Sequence, residues 1–147
     1  MLLLNMCAVD ISGDKTTIVI VDDDVKVRQK LETLLAGIGA RVKTYCCAEA
    51  LLREGVHADT RCMIAENCLP GMDGIQLMRT VQEQGIRMPT ILLARFSDVP
   101  TAVRAMQAGA VDFIDKPFVD RVLLARVRQV LSNIKWLYPI SRGNPNI

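Results

Sequence analysis

The chain has 147 residues, half of them hydrophobic and 23% charged, with a formal net charge of +2 and a pI near 8.3. That length points to one domain able to bury a core without staples. The near-neutral balance excludes a broad electrostatic grip on nucleic acid, which needs a clustered basic face.

The first nine residues, MLLLNMCAV, are apolar. They lack a basic flank and run into Asp10 and Asp14, which makes a poor signal peptide. Residues 1–15 therefore read as an N-terminal extension. Thr17 to Val21 is a continuous β-branched run, the pattern of a strand buried on both faces. Asp22, Asp23 and Asp24 follow at once. From Val25 to Ile38 the residues Val27, Leu31, Leu34, Leu35 and Ile38 share one helical face, and Gly39 ends the helix. Arg41 to Tyr45 alternates as a short strand, and Ala48 to Glu54 is a short helix. Arg61 to Glu66 is a third strand, entering the loop Leu69-Pro70-Gly71-Met72-Asp73-Gly74. Helix from Ile75 to Gln84, strand from Pro89 to Ala94, helix from Val99 to Ala108, strand from Ala110 to Ile114 and helix from Asp120 to Lys135 complete the order.

Five β–α units in succession imply an α/β fold, a parallel sheet covered by helices on both sides. In such open sheets functional groups gather beyond the carboxyl ends of the strands. Those ends carry Asp22–Asp24, Glu66–Cys68, Ala94–Phe96 and Asp115–Pro117. Stacked carboxylates after the first strand call for compensation, and a hard cation such as Mg2+ suits carboxylates, carbonyls and water. The plainer alternative is one aspartate capping the helix with its neighbours solvated. Lys116 at the same sheet edge would balance the charge, and Pro117 restricts it to extended geometry and permits a cis bond.

The stretches VIVDDDVKVR, LPGMDGIQL and PTILLARFSDVPTAVRAMQAGAVDFIDKPF, with their spacing, resemble the CheY-like receiver domains of response regulators. The last of them is nearest to receivers of the FixJ/NarL type. The resemblance covers residues 16–131. It implies the flavodoxin-like (βα)5 three-layer sandwich with strand order 2-1-3-4-5, a receiver domain over 16–135, and a tail or truncated linker over 136–147. It also implies an atypical two-component signalling module in transcription regulation.

Position by position, the resemblance places the acidic pair on Asp22 and Asp23, the lysine on Lys116 and the switch aromatic on Phe113. The phosphoacceptor aspartate falls on Glu66 and the switch Ser/Thr on Ala94. An extra methylene shifts the carboxylate by about 1.5 Å, one C–C bond, and a misplacement of about 1 Å can cost about 10²-fold in rate. Alanine at 94 removes the hydroxyl that would read the phosphoryl group. Three outcomes stay open: slow phosphorylation of Glu66, a built-in mimic with one charge rather than about two, and a fold kept only as a scaffold. Mg2+ would be held by Asp22, Asp23, Glu66 and the Cys68 backbone carbonyl, unless Arg95 leans over the site and neutralises it.

The resemblance puts the partner surface on the fourth helix, fifth strand and fifth helix. There Val99, Ala102, Val103, Ala105 and Met106 cannot all face inward. An apolar outer face would suit a homodimer, an effector or a sensor kinase. No run of 18 apolar residues exists, so no membrane span is expected. Five cysteines (Cys7, Cys46, Cys47, Cys62 and Cys68), with no CxxC pair, argue against a disulfide framework or zinc site and for reduced thiols in the cytoplasm. His57, the one histidine, belongs on a surface loop without a metal role. Two rival readings stand beside the receiver resemblance. Asp22-Asp23-Asp24 partly resembles the nucleophile motif of haloacid-dehalogenase phosphatases, but Lys26 stands where that motif has Thr or Val. The other is a pseudo-receiver that senses a small ligand in its altered site.

Overall fold

The computed structural model describes residues 16–133. The extension and the tail expected at 1–15 and 136–147 lie outside them, as do Cys7 and Lys135. The strands are β1 (Thr17–Val21), β2 (Arg41–Tyr45), β3 (Thr60–Glu66), β4 (Thr90–Ala94) and β5 (Asp112–Asp115). The helices are α1 (Val25–Ala36), α2 (Ala48–Glu54), α3 (Gly74–Glu83), α4 (Val99–Gln107) and α5 (Asp120–Ser132). All strand pairs are parallel, in the order β2-β1-β3-β4-β5. The expected α/β flavodoxin-like architecture is therefore the observed one.

Strand parity builds two cores. Ile18, Ile20, Cys62, Ile64, Ile91 and Leu93 point to one face and pack against Leu31 and Leu35 of α1 and Leu123, Val127 and Val130 of α5. Val19, Val21, Met63, Ala65 and Leu92 point to the other, against residues of α2, α3 and α4. Each fully buried aliphatic side chain contributes about 1.5–3 kcal/mol relative to exposure. β1, β3 and β4 are buried along nearly their whole length, so they read as continuous apolar runs rather than alternating ones.

Several element ends differ from expectation, each for a backbone reason. α1 stops at Ala36, before the expected Ile38, because Gly37 and the positive-φ Gly39 close its last turn. α3 starts one residue early, at Gly74. Asp73 Oδ1 accepts from the Gln76 amide and Gln76 Oε1 accepts in return from the Asp73 amide, a reciprocal cap. β5 begins at Asp112 rather than Ala110. The Ala110 amide is spent on Ala105 O, closing α4, and Val111 bonds Thr90 O. α5 ends at Ser132 because Asn133 adopts extended dihedrals.

Gly74 shows what close approach demands. A Cβ there would lie 2.8 Å from the Glu66 carbonyl oxygen and 2.9 Å from Asn67 Cα. Glycine thus lets α3 begin hard against the end of β3.

Candidate functional site

Glu66, Asp22 and Lys116 converge at the carboxyl end of the sheet. The last residue of β3 and the first beyond β1 are carboxylates with 0% exposure. Buried charges need partners, and both have them. Asp22 Oδ2 accepts from Lys116 Nζ at 2.7 Å, and its Oδ1 accepts from the Asp24 amide at 2.9 Å. Glu66 Oε2 accepts from the Cys68 amide at 2.8 Å, while its Oε1 lies 2.7 Å from Lys116 Nζ as an off-axis ion pair. The Lys116-Pro117 peptide is cis. Burial works to lower the Lys116 pKa, but the hydrogen bonds and charges of Asp22 and Glu66 outweigh it, and the net shift is upward.

The three aspartates divide their roles. Asp24 caps α1 through the Lys26 amide at 2.9 Å. Asp22 is buried and paired with Lys116. Asp23 pairs with Arg95, whose guanidinium also donates to the Cys68 carbonyl at 3.0 Å and approaches Glu66 Oε1 at 3.9 Å. Desolvation would lower the Arg95 pKa, yet its bond to Asp23 and the surrounding carboxylates raise it. Arg95 therefore does lean across the site. Its guanidinium spans the ends of β1 and β3 from the first position after β4.

Ala94 ends β4 almost fully buried, its carbonyl accepting from the Lys116 amide at 2.9 Å. No hydroxyl stands there. Phe113 is half-buried and packs against the core under α2, α3 and α4. On α4, Ala105 is buried and Ala102 half-buried, while Val99 (75% exposed), Val103 and Met106 face outward. They continue into Phe96, 76% exposed.

Two supporting residues were not singled out from the sequence. Arg28 Nη1 donates to the Asp22 carbonyl at 2.6 Å, bringing a third cation to the cluster. Its place one helical turn past Asp24 was the available signal. Asn67, next to Glu66, accepts from the Gly74 amide through its carbonyl and from the Ile75 amide through Oδ1, fixing α3 to β3. Cys46, Cys47, Cys62 and Cys68 are free thiols, and burial pushes Cys62 up to about 12. His57 is exposed beside Lys43 and Glu54.

Receiver domains typically bind Mg2+ at such an acidic site. The donors present do not fit a divalent ion as they are arranged. Asp23 and the Cys68 carbonyl are engaged by Arg95, and Asp22 and Glu66 by Lys116. Among the described residues no group of three or more His, Cys, Asp or Glu converges to hold a metal.

Over residues 18–128 the chain matches the response regulator receiver domain family. It is 38% identical over 112 residues to the transcriptional regulatory protein FixJ of Azorhizobium caulinodans, covering 76% of this chain and 53% of that one. It is 37% identical over 120 residues to the response regulator protein TmoT of Ectopseudomonas mendocina, covering 82% and 54% respectively. A crystal structure of a response regulator receiver protein from Pseudoalteromonas atlantica aligns with a TM-score of 0.74 at 39% identity, over 78% of this chain and 96% of that one. The chain spans a little over half the length of these two curated relatives. Sheet order, matched span and relatives agree: the chain belongs to the response regulator receiver domain family of two-component systems.

Proposed function

We propose that this receiver domain signals without ordinary aspartyl phosphorylation, as an interaction module in a cytoplasmic transcription-regulating system. One observation carries the reading. The carboxylate at the acceptor position is fully buried: its Oε2 accepts from the Cys68 amide, and its Oε1, without a hydrogen bond, is held in off-axis ion pairs between the Lys116 ammonium and the Arg95 guanidinium. A phosphodonor needs an oxygen free to attack and aligned within about 3–3.5 Å. Ala94 offers no hydroxyl to such a group. Phe113 and Lys116 retain their family positions, so the fold keeps the frame of the switch while its trigger is altered. The exposed face of Val99, Val103 and Met106 on α4 then carries the contact with a second copy, an effector or a sensor kinase. The FixJ relatives are transcriptional regulatory proteins, which supports a regulatory rather than a catalytic role.

The test is incubation with acetyl phosphate, or with beryllofluoride, in the presence of Mg2+, followed by intact mass and amide spectra. Glu66→Asp serves as the acceptor-length control and Glu66→Asp/Ala94→Thr as the read-out control. Wild type is expected to stay unmodified and spectrally unchanged. An acyl phosphate on Glu66 sinks the proposal, and steady hydrolysis of p-nitrophenyl phosphate favours a phosphatase instead.

A further inference from the structure

We infer that Arg95 is a tethered cation that holds the divalent-ion position of this site, so that a metal ion binds only by displacing its guanidinium. The inference deepens the reading above and rests on it for the placement of the site. The family resemblance assigns a divalent ion to Asp22, Asp23, Glu66 and the backbone carbonyl of Cys68. Arg95 reaches three of these four: it is ion-paired with Asp23, donates to Cys68 O at 3.0 Å and approaches Glu66 Oε1 at 3.9 Å, while Asp22 is held by Lys116. A planar, permanently charged fork is suited to bridging a carboxylate and a carbonyl at once.

Charge and geometry act together. Asp22, Asp23 and Glu66 face Lys116, Arg95 and the Arg28 guanidinium at the Asp22 carbonyl. Three carboxylates against three cations leave no uncompensated charge to attract an ion. Mg2+ also demands near-ideal octahedral oxygen geometry, and the Arg95–Asp23 pair and the Arg95–Cys68 bond must break to free those oxygens. Arg95 and Asp23 are each 34% exposed, so the guanidinium has an open path to water when it leaves. The divalent-ion position takes one cation at a time, and the resident one is covalently attached.

The experiment titrates the full chain with Mn2+, followed by calorimetry and by the paramagnetic resonance of free ion, with Mg2+ as competitor. Arg95→Ala, Arg95→Gln and Asp23→Ala are compared with wild type, each checked for a native melting transition. Losing two charge-assisted bonds to the guanidinium corresponds to roughly 10- to 100-fold tighter binding in Arg95→Ala. Arg95→Gln should gain most of that, and Asp23→Ala should bind no better than wild type. In parallel, the Arg95 Nε–H resonance of wild type is expected to shift toward its solvent position only as metal saturates. Equal affinity in wild type and both arginine variants overturns the inference, as does metal binding to wild type that leaves the Arg95 resonance in place. Should one arginine variant fail to fold, the other and the wild-type resonance still decide. Phosphorylation is scored separately by mass: metal binding by wild type that leaves the Arg95 resonance in place, without an acyl phosphate, removes Arg95's role and leaves the phosphorylation-independent reading standing.

Discussion

Lys116 is the residue on which the buried charges depend. It stands between two carboxylates with no exposure of their own. Removing one partner of a buried ionic cluster typically costs about 3–5 kcal/mol, so Lys116→Met is expected to destabilise the domain by about that much in urea unfolding. Adding Glu66→Gln should return part of it. The pH dependence follows from the same contact. The folded pKa of Lys116 lies above the ordinary 10.5, so above that pH the folded chain holds a proton the unfolded chain has released. Its contribution is complete below pH 10.5 and is lost as pH rises through the folded value. Unfolding midpoints in the alkaline range should therefore fall more steeply in wild type than in Lys116→Met. Much at this scale was legible in the sequence. Asp22, Glu66, Ala94 and Lys116 sit where strand order places them. The division of labour among Asp22, Asp23 and Asp24 was not legible, because it depends on which oxygen faces Lys116, which faces Arg95 and which caps α1.

At the scale of elements, the strands were read nearly residue for residue because β-branched, buried runs carry a strong signal. Ends were less legible. The start of β5 depends on Ala110 closing α4, and the start of α3 depends on the Asp73–Gln76 cap, and both are contacts rather than periodicities. α4 is the element whose outer face remains to be covered. Val99, Val103 and Met106, beside Phe96, leave apolar surface outward while Ala105 alone is buried. Met106→Lys is expected to change folding stability by less than about 0.5 kcal/mol, as surface substitutions usually do. It should also shift a light-scattering concentration series toward monomer. A wild-type chain that stays monomeric at every concentration, with no response to Met106→Lys, removes self-association through this face.

For the whole molecule, the succession of β–α units predicted helices on both sides of the sheet, and strand parity in the structure assigns the faces. Ile18 and Ile20 belong with α1 and α5, Val19 and Val21 with α2 through α4, and the two cores follow. Long-range charge pairing was the part that local sequence could not order. Arg95 lies 72 positions from Asp23 and Lys116 lies 94 from Asp22, and only the parallel sheet brings them together. No helix among the described residues is long and apolar enough to cross a membrane.

The bridge from Arg95 to Asp23 and Cys68 has a consequence for how this site answers substitution. Residues that satisfy one another leave an unpaired group when exchanged singly, so the effects of changing them are expected to be coupled. Glu66→Asp alone leaves Arg95 across the entrance, and Ala94→Thr alone offers a hydroxyl with nothing to bind. Labelling by acetyl phosphate is expected to rise in Glu66→Asp/Ala94→Thr/Arg95→Gly by far more than the single changes together, as contacting residues behave non-additively. If the three single variants already account for the triple, the three positions act independently and Arg95 does not guard the site.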